Sequence, residues 1–173
     1  DFCNFIGKDE KIDLVIHDVG GPVGLAFVLE HPEKINRLLI MDTVVSSKDL
    51  PLSMKIVINP GVVWAYLSLT NRAIFKWIMK LAVYQKDKLD DETIDHYYQV
   101  FLRDKKDRAT AKIFKVLKTE LDKVVGENIS KINCPALVLW AEKDFILPLS
   151  WAENIKARIK NSTLITLPDC GHF

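Results

Sequence analysis

The run Leu14-Val15-Ile16-His17-Asp18-Val19-Gly20-Gly21-Pro22-Val23 constrains this chain most. Its apolar start reads as a buried strand, its paired glycines as a tight turn, and the segment from Gly21 to Glu30 as a helix. A strand that breaks into a helix through such a turn holds the bend residue exposed, strained and aimed, as a nucleophile needs to be. Serine is the usual occupant of that bend. Here the position belongs to Asp18, so the attacking atom would be a carboxylate oxygen, which changes the class of substrate. The plain alternative is that Asp18 only turns the chain and caps the helix, both of which aspartate does well.

The pattern around the bend predicts an α/β fold. A strand over 13–16, a helix over 21–30 stopped by Pro32, and a strand at Arg37-Leu38-Leu39-Ile40-Met41 form a βαβ unit, whose handedness makes the two strands parallel neighbours. A parallel sheet hidden on both faces is expected. From about Ser46 to Glu127 the character changes, and 55–69, 71–84, 91–103 and 108–125 all read as helices. Asp90-Asp91-Glu92-Thr93 places acids at a helix start, where free N–H groups and the dipole favour them. A strand then returns at Cys134-Pro135-Ala136-Leu137-Val138-Leu139-Trp140, followed by a helix over 150–160 and a last strand over 163–167. The expected organisation is a core over 1–45, a helical insertion over 46–127 and a return to the core over 128–173.

Composition removes several classes of function. With 24 Lys and Arg against 23 Asp and Glu the net charge is +1, and no basic block marks a surface for nucleic acid. Cys3, Cys134 and Cys170 are odd in number and widely spaced, which indicates neither a disulfide framework nor a metal site and fits a reducing compartment. The longest apolar stretch, Ile56 to Leu69, is broken by Asn59, Pro60 and Gly61 and is shorter than the roughly 18 to 20 residues of a membrane helix. A soluble, cytoplasmic protein without membrane partner, metal or organic cofactor is expected.

Three chemistry-bearing residues stand where strands end: Asp18, Asp144 and His172. Groups at the carboxyl ends of strands are where open α/β sheets collect their ligands, and the chain order of nucleophile, acid and histidine is that of the α/β-hydrolases. The runs Leu14-Val-Ile-His-Asp-Val-Gly-Gly-Pro-Val-Gly24, His31-Pro-Glu-Lys-Ile-Asn-Arg-Leu-Leu-Ile-Met-Asp-Thr43, Cys134-Pro-Ala-Leu-Val-Leu-Trp-Ala-Glu-Lys-Asp144 and Asp169-Cys-Gly-His-Phe173 resemble the haloalkane dehalogenase and epoxide hydrolase branch of that family. The resemblance covers the whole chain. It implies a partial α/β-hydrolase fold, a parallel sheet with a helical cap, lacking the family's early strands and final helix. The chain reads as an internal fragment, expected to be inactive alone.

The same resemblance implies a mechanism. Asp18 attacks a small apolar electrophile carrying a halide or a strained epoxide oxygen and forms an alkyl-enzyme ester. His172 then activates water to hydrolyse it, oriented by Asp144, with the Val19 backbone N–H as one oxyanion donor. Asp42, ending the second strand, is an alternative acid. The family usually has Trp after the nucleophile, whose indole holds a leaving halide; Val19 carries no such donor. Trp64 or Trp77 would have to supply one, and Tyr66, Tyr84, Tyr97 or Tyr98 would protonate an epoxide oxygen. Trp64, Tyr66 and Trp77 are the pocket candidates, although their helical spacing reads first as cap core. Alternation turns His17 to the opposite side of its strand, as a buried histidine with a local partner. His31 and His96 read as a helix end and cap packing.

Two rivals remain. Strand, Gly20-Gly21-x-x-Gly24, helix and a strand ending in Asp42 imitate a Rossmann dinucleotide site, although the first G-x-G is missing. A binding protein that kept the scaffold and lost turnover is the other.

Overall fold

The computed structural model describes residues 10–48, 50, 55–56, 59–107 and 109–173. Cys3 and positions 57–58 of the helix expected over 55–69 lie outside them.

Four parallel strands form a single sheet in the order of the chain: β1 (Ile12–Asp18), β2 (Ile35–Thr43), β3 (Ala136–Ala141) and β4 (Ser162–Leu167). Helix α1 (Gly20–Glu30) connects β1 to β2, with a short turn at Pro32–Lys34 where proline ends it. The helices α2 (Pro60–Leu69), α3 (Arg72–Ala82), α4 (Asp91–Asp107) and α5 (Ala109–Leu121) lie between β2 and β3, and α6 (Leu149–Arg158) links β3 to β4.

Register explains which residues meet. Ile16 pairs with Ile40, Ile40 with Val138 and Val138 with Leu164, so the even-numbered side chains of neighbouring strands share one face. Leu25 and Val28 of α1 and Ala152 and Ile155 of α6 pack there with Ile16, Ile40, Val138 and Trp140 in one core. Both helices therefore cover the same face, because right-handed crossovers that always step in one direction across a sheet fall on one side. On the other side, among the described residues, Val15 and Ile165 remain 61% and 47% exposed.

A second, separate core lies among the inserted helices, where Val63, Leu67, Phe75, Met79, Leu89, Ile94 and Phe101 are buried together. The starts of α2, α3 and α4 are capped by side chains: Asn59 Oδ1 accepts the Gly61 N–H, Asn71 Oδ1 the Ile74 N–H and Asp90 Oδ1 the Thr93 N–H. On α3 the buried Phe75, Met79 and Ala82 repeat at helical spacing. The insertion is tied back to the sheet by Asp122, whose carboxylate accepts the Ser46 hydroxyl at 2.7 Å and the Ser47 N–H at 2.9 Å. Among the described residues no helix is long and apolar enough to cross a membrane.

Candidate functional site

Asp18 closes β1 with φ at 46°, in the left-handed region that a β-carbon makes costly. Val19 then serves as the cap of α1 and Gly20 begins the helix, so the Asp18 side chain stands at the helix N-terminus, where partial positive charge favours a carboxylate. The strain is held from β2. The Thr43 hydroxyl, fully buried, donates to the Asp18 carbonyl at 2.6 Å. Room for Thr43 exists only because residue 21 is glycine: a β-carbon there would lie 1.8 Å from Thr43 Oγ1. Gly24 likewise admits Ile16, whose Cγ2 would be 2.3 Å from an added β-carbon. In the Gly20-Gly21-x-x-Gly24 run the space above Gly21 is filled by Thr43, which leaves no room there for a pyrophosphate.

Opposite the bend, β2 has an irregularity. His17 pairs with Met41 and Asp18 with Thr43, so Asp42 is the unpaired extra residue of a bulge, with φ at 28°. The buried Asp42 carboxylate accepts the Ala141 N–H at 3.0 Å. Burial above all, with the nearby charge of Asp144, pushes its pKa up from 3.8 to about 6, against the Ala141 N–H, which lowers it.

Asp144 sits in the loop after β3. Its Oδ1 accepts the Ile146 N–H at 2.7 Å and the Leu147 N–H at 2.9 Å, and Trp140 Nε1 clamps the loop by donating to the Leu147 carbonyl at 3.0 Å. Oδ2 is thereby aimed at His172 Nδ1, 2.7 Å away. Of the two acids considered from sequence, Asp144 holds the imidazole, while Asp42 is engaged with the Ala141 N–H. On its other side His172 Nε2 lies 3.7 Å from Asp18 Oδ1, an ion-pair distance and too long for a hydrogen bond. The imidazole and Asp144 are almost wholly buried, whereas the Asp18 side chain is 43% exposed. Burial is the strongest influence on His172 and opposes its charged form. The Asp144 and Asp18 carboxylates outweigh it and raise the pKa from 6.5 to about 9.

The His172 loop is seated by backbone. Cys170 carbonyl accepts the Lys143 N–H at 3.0 Å, and the Ala82 carbonyl accepts the Phe173 N–H at 3.4 Å. His17 also reaches it: Nε2 is 3.1 Å from the His172 carbonyl, and the two rings are 4.9 Å apart. Alternation correctly turns His17 to the face shared with Val15, but its partner is 155 residues away, not local. Its only sequence signal was adjacency to Asp18.

Other sequence candidates lie further out. Tyr66 packs edge-on to Phe101 in the helical core, and Tyr98 stacks on the same ring. Trp64 and Trp77 are 49% and 63% exposed, and Tyr97 is also exposed. Tyr84 packs beside Gly171, next to the histidine. No group of His, Cys, Asp and Glu among the described residues could hold a metal ion.

An aimed carboxylate, an imidazole and a buried acid in line make a relay able to attack an electrophile and then activate water. Comparison with known proteins agrees with this architecture. A family model described as alpha/beta hydrolase fold matches residues 4–173. An uncharacterized hydrolase, YugF, of Bacillus subtilis (strain 168) is 27% identical over 169 residues, which are 92% of this chain and 58% of that protein. A 2-hydroxy-6-oxononadienedioate/2-hydroxy-6-oxononatrienedioate hydrolase of Pseudomonas putida is 27% identical over 168 residues, covering 95% of this chain and 57% of its own length. Among solved structures, the 2-hydroxy-6-oxo-6-phenylhexa-2,4-dienoate hydrolase of Rhodococcus sp. strain RHA1 superposes with a TM-score of 0.79 at 21% identity, over 98% of this chain and 60% of that one. The chain thus spans about three fifths of the length of these proteins.

Proposed function

We propose, for a chain that belongs to the alpha/beta hydrolase fold family, that it hydrolyses a haloalkane-like electrophile through an ester formed on Asp18. The observation that carries the reading is the carboxylate at the strained bend, 3.7 Å from a buried imidazole that is itself held by a second carboxylate.

An Asp18 oxygen attacks a tetrahedral carbon, and the carbon–halogen bond breaks with its electron pair leaving on the halide. A carboxylate nucleophile needs no base to activate it. In the resting site His172 is imidazolium, since its pKa is about 9. Esterification removes the Asp18 charge that helps hold that proton, the pKa falls, and the proton passes to solvent. Neutral His172 Nε2 then takes a proton from water while the water oxygen bonds to the ester carbonyl carbon. Collapse of that intermediate breaks the bond to the alkyl oxygen, which takes the proton back from His172 and leaves as an alcohol. Asp144 fixes the imidazole tautomer and balances the imidazolium. The Val19 N–H, at the start of α1, is the proposed donor to the transient oxyanion.

Val19 favours a second reading, hydrolysis of an epoxide by the same route, because its side chain offers a departing halide no donor. In-line displacement sends the leaving atom away from Asp18 and from His172, so an acid for an epoxide oxygen has to face Asp18 from across the pocket.

A single turnover in heavy-oxygen water, with protein in excess over 1-bromohexane or, in parallel, 1,2-epoxyhexane, tests both. The expected label is on the Asp18 carboxylate. Product formed with label in the alcohol alone would overturn the ester route.

A further inference from the structure

His17 plays no part in the scheme above, yet it lies directly against the residue that carries the base. Its Nε2 lies 3.1 Å from the His172 carbonyl, its ring is 4.9 Å from the His172 ring at 37°, and the Phe173 ring meets it edge-on at 5.9 Å. A carbonyl oxygen only accepts, so His17 Nε2 carries the hydrogen and donates.

We propose that His17 is a positioning residue for His172, tying the main chain of the loop that carries the base to the strand that carries the nucleophile. The inference rests on the ester reading and extends it. Asp18 and His17 are consecutive at the end of β1, so the bond joins both halves of the relay through two residues of one rigid strand. Asp144 fixes the imidazole by Nδ1, which leaves the ring free to swing about that bond together with its backbone. The hydrogen bond from His17 to the His172 carbonyl removes that freedom at the backbone, and the ring contact removes it at the side chain. The Lys143 N–H holds the Cys170 carbonyl at 3.0 Å and the Ala82 carbonyl holds the Phe173 N–H at 3.4 Å, so the loop is pinned on either side of His172 and His17 adds the fixed point at His172 itself.

The steps of the reaction should separate. Alkylation uses Asp18 alone and should be indifferent to His17. Hydrolysis of the ester needs His172 Nε2 to face a water above the ester carbon, where small misplacements cost factors of ten or more.

The test compares His17→Gln, whose amide nitrogen reaches the position of Nε2, with His17→Asn, which is polar but too short, and with His17→Ala. Two readouts are taken on the whole protein: the rise and decay of the Asp18 adduct by mass spectrometry after mixing with 1-bromohexane or 1,2-epoxyhexane, and the downfield proton resonance of the His172 Nδ1–H bonded to Asp144. Expected are an adduct that forms at the wild-type rate in all three, decays at least about tenfold slower in the Asn and Ala variants, and recovers in Gln. The downfield resonance should broaden or vanish in Asn and Ala and return in Gln. Wild-type decay in the Asn variant, or an unchanged resonance there, overturns the proposal. If wild type forms no adduct with either probe, the ester reading fails. The resonance in the Asn and Gln variants then decides the positioning role by itself.

Discussion

The Thr43 hydroxyl donates to the backbone carbonyl of Asp18 at 2.6 Å, across from the positive φ of that residue. One side chain of β2 therefore holds the bend of β1 in its costly conformation, and Gly21 supplies the space it occupies. Replacing Thr43 by Val keeps the shape and leaves the carbonyl without its donor, at a cost of about 1–3 kcal/mol. Chemical denaturation should show that loss, and product formation should fall as the bend relaxes. Unchanged stability would mean that the bend is held by other contacts.

Gly21→Ala drives a β-carbon into Thr43 and should destabilise more than Thr43→Val does. Combining it with Thr43→Ala should recover part of the loss, because Oγ1 and Cγ2 are the atoms removed from the clash. Additive effects in a double-mutant cycle would argue against that contact.

His172→Gln cannot take a proton from water. Alkylation should proceed and stop, leaving an adduct on Asp18 detectable by mass spectrometry, with turnover down by a factor of about 100 or more. An unmodified Asp18 after exposure to a compound that wild type consumes would remove Asp18 as the nucleophile.

The proton on His172 gives a signed prediction. A folded pKa of about 9 against 6.5 stabilises the fold fully below about pH 6.5, and that contribution fades as pH rises towards 9. Asp18→Asn removes one of the two carboxylates that raise it, so the imidazole should titrate lower than in wild type. Nuclear magnetic resonance of the ring would read the shift, and an unchanged titration would place the whole effect on Asp144.

Asp42 has the opposite consequence for stability. Its pKa of about 6 means that ionising it costs the folded state more than the unfolded one, so stability should fall as pH rises from about 4 to 6. Asp42→Asn keeps a carbonyl oxygen for the Ala141 N–H and carries no charge. That variant should lose the slope and be more stable at pH 7 by about 1–2 kcal/mol, which denaturation at pH 4 and pH 7 would resolve.

Much of this molecule is legible in the chain itself. Apolar runs at 13–16, 37–41, 134–140 and 163–167 lie on the observed strands because parallel strands in a core need such runs. Asp18, Asp144 and His172 were identifiable because each follows one of these runs and because loops at strand ends carry the polar residues of an α/β sheet. Periodicity could not say which side of the sheet the helices would cover, and Val15 and Ile165 lie on the open one. Periodicity does not separate Asp42 from Asp144, since both end strands; the resemblance favours Asp144, and Asp144 is the acid at the imidazole.

Local sequence determined the elements, the parallel pairing and the identity of the three aligned groups, because strand, turn and helix propensities act over a few neighbouring residues. Tertiary structure alone decided what fills the space above Gly21 and that His17 lies against His172. Those contacts join residues 22 and 155 positions apart. Such distant pairs are brought together only when the strands take their register, and no local pattern records that.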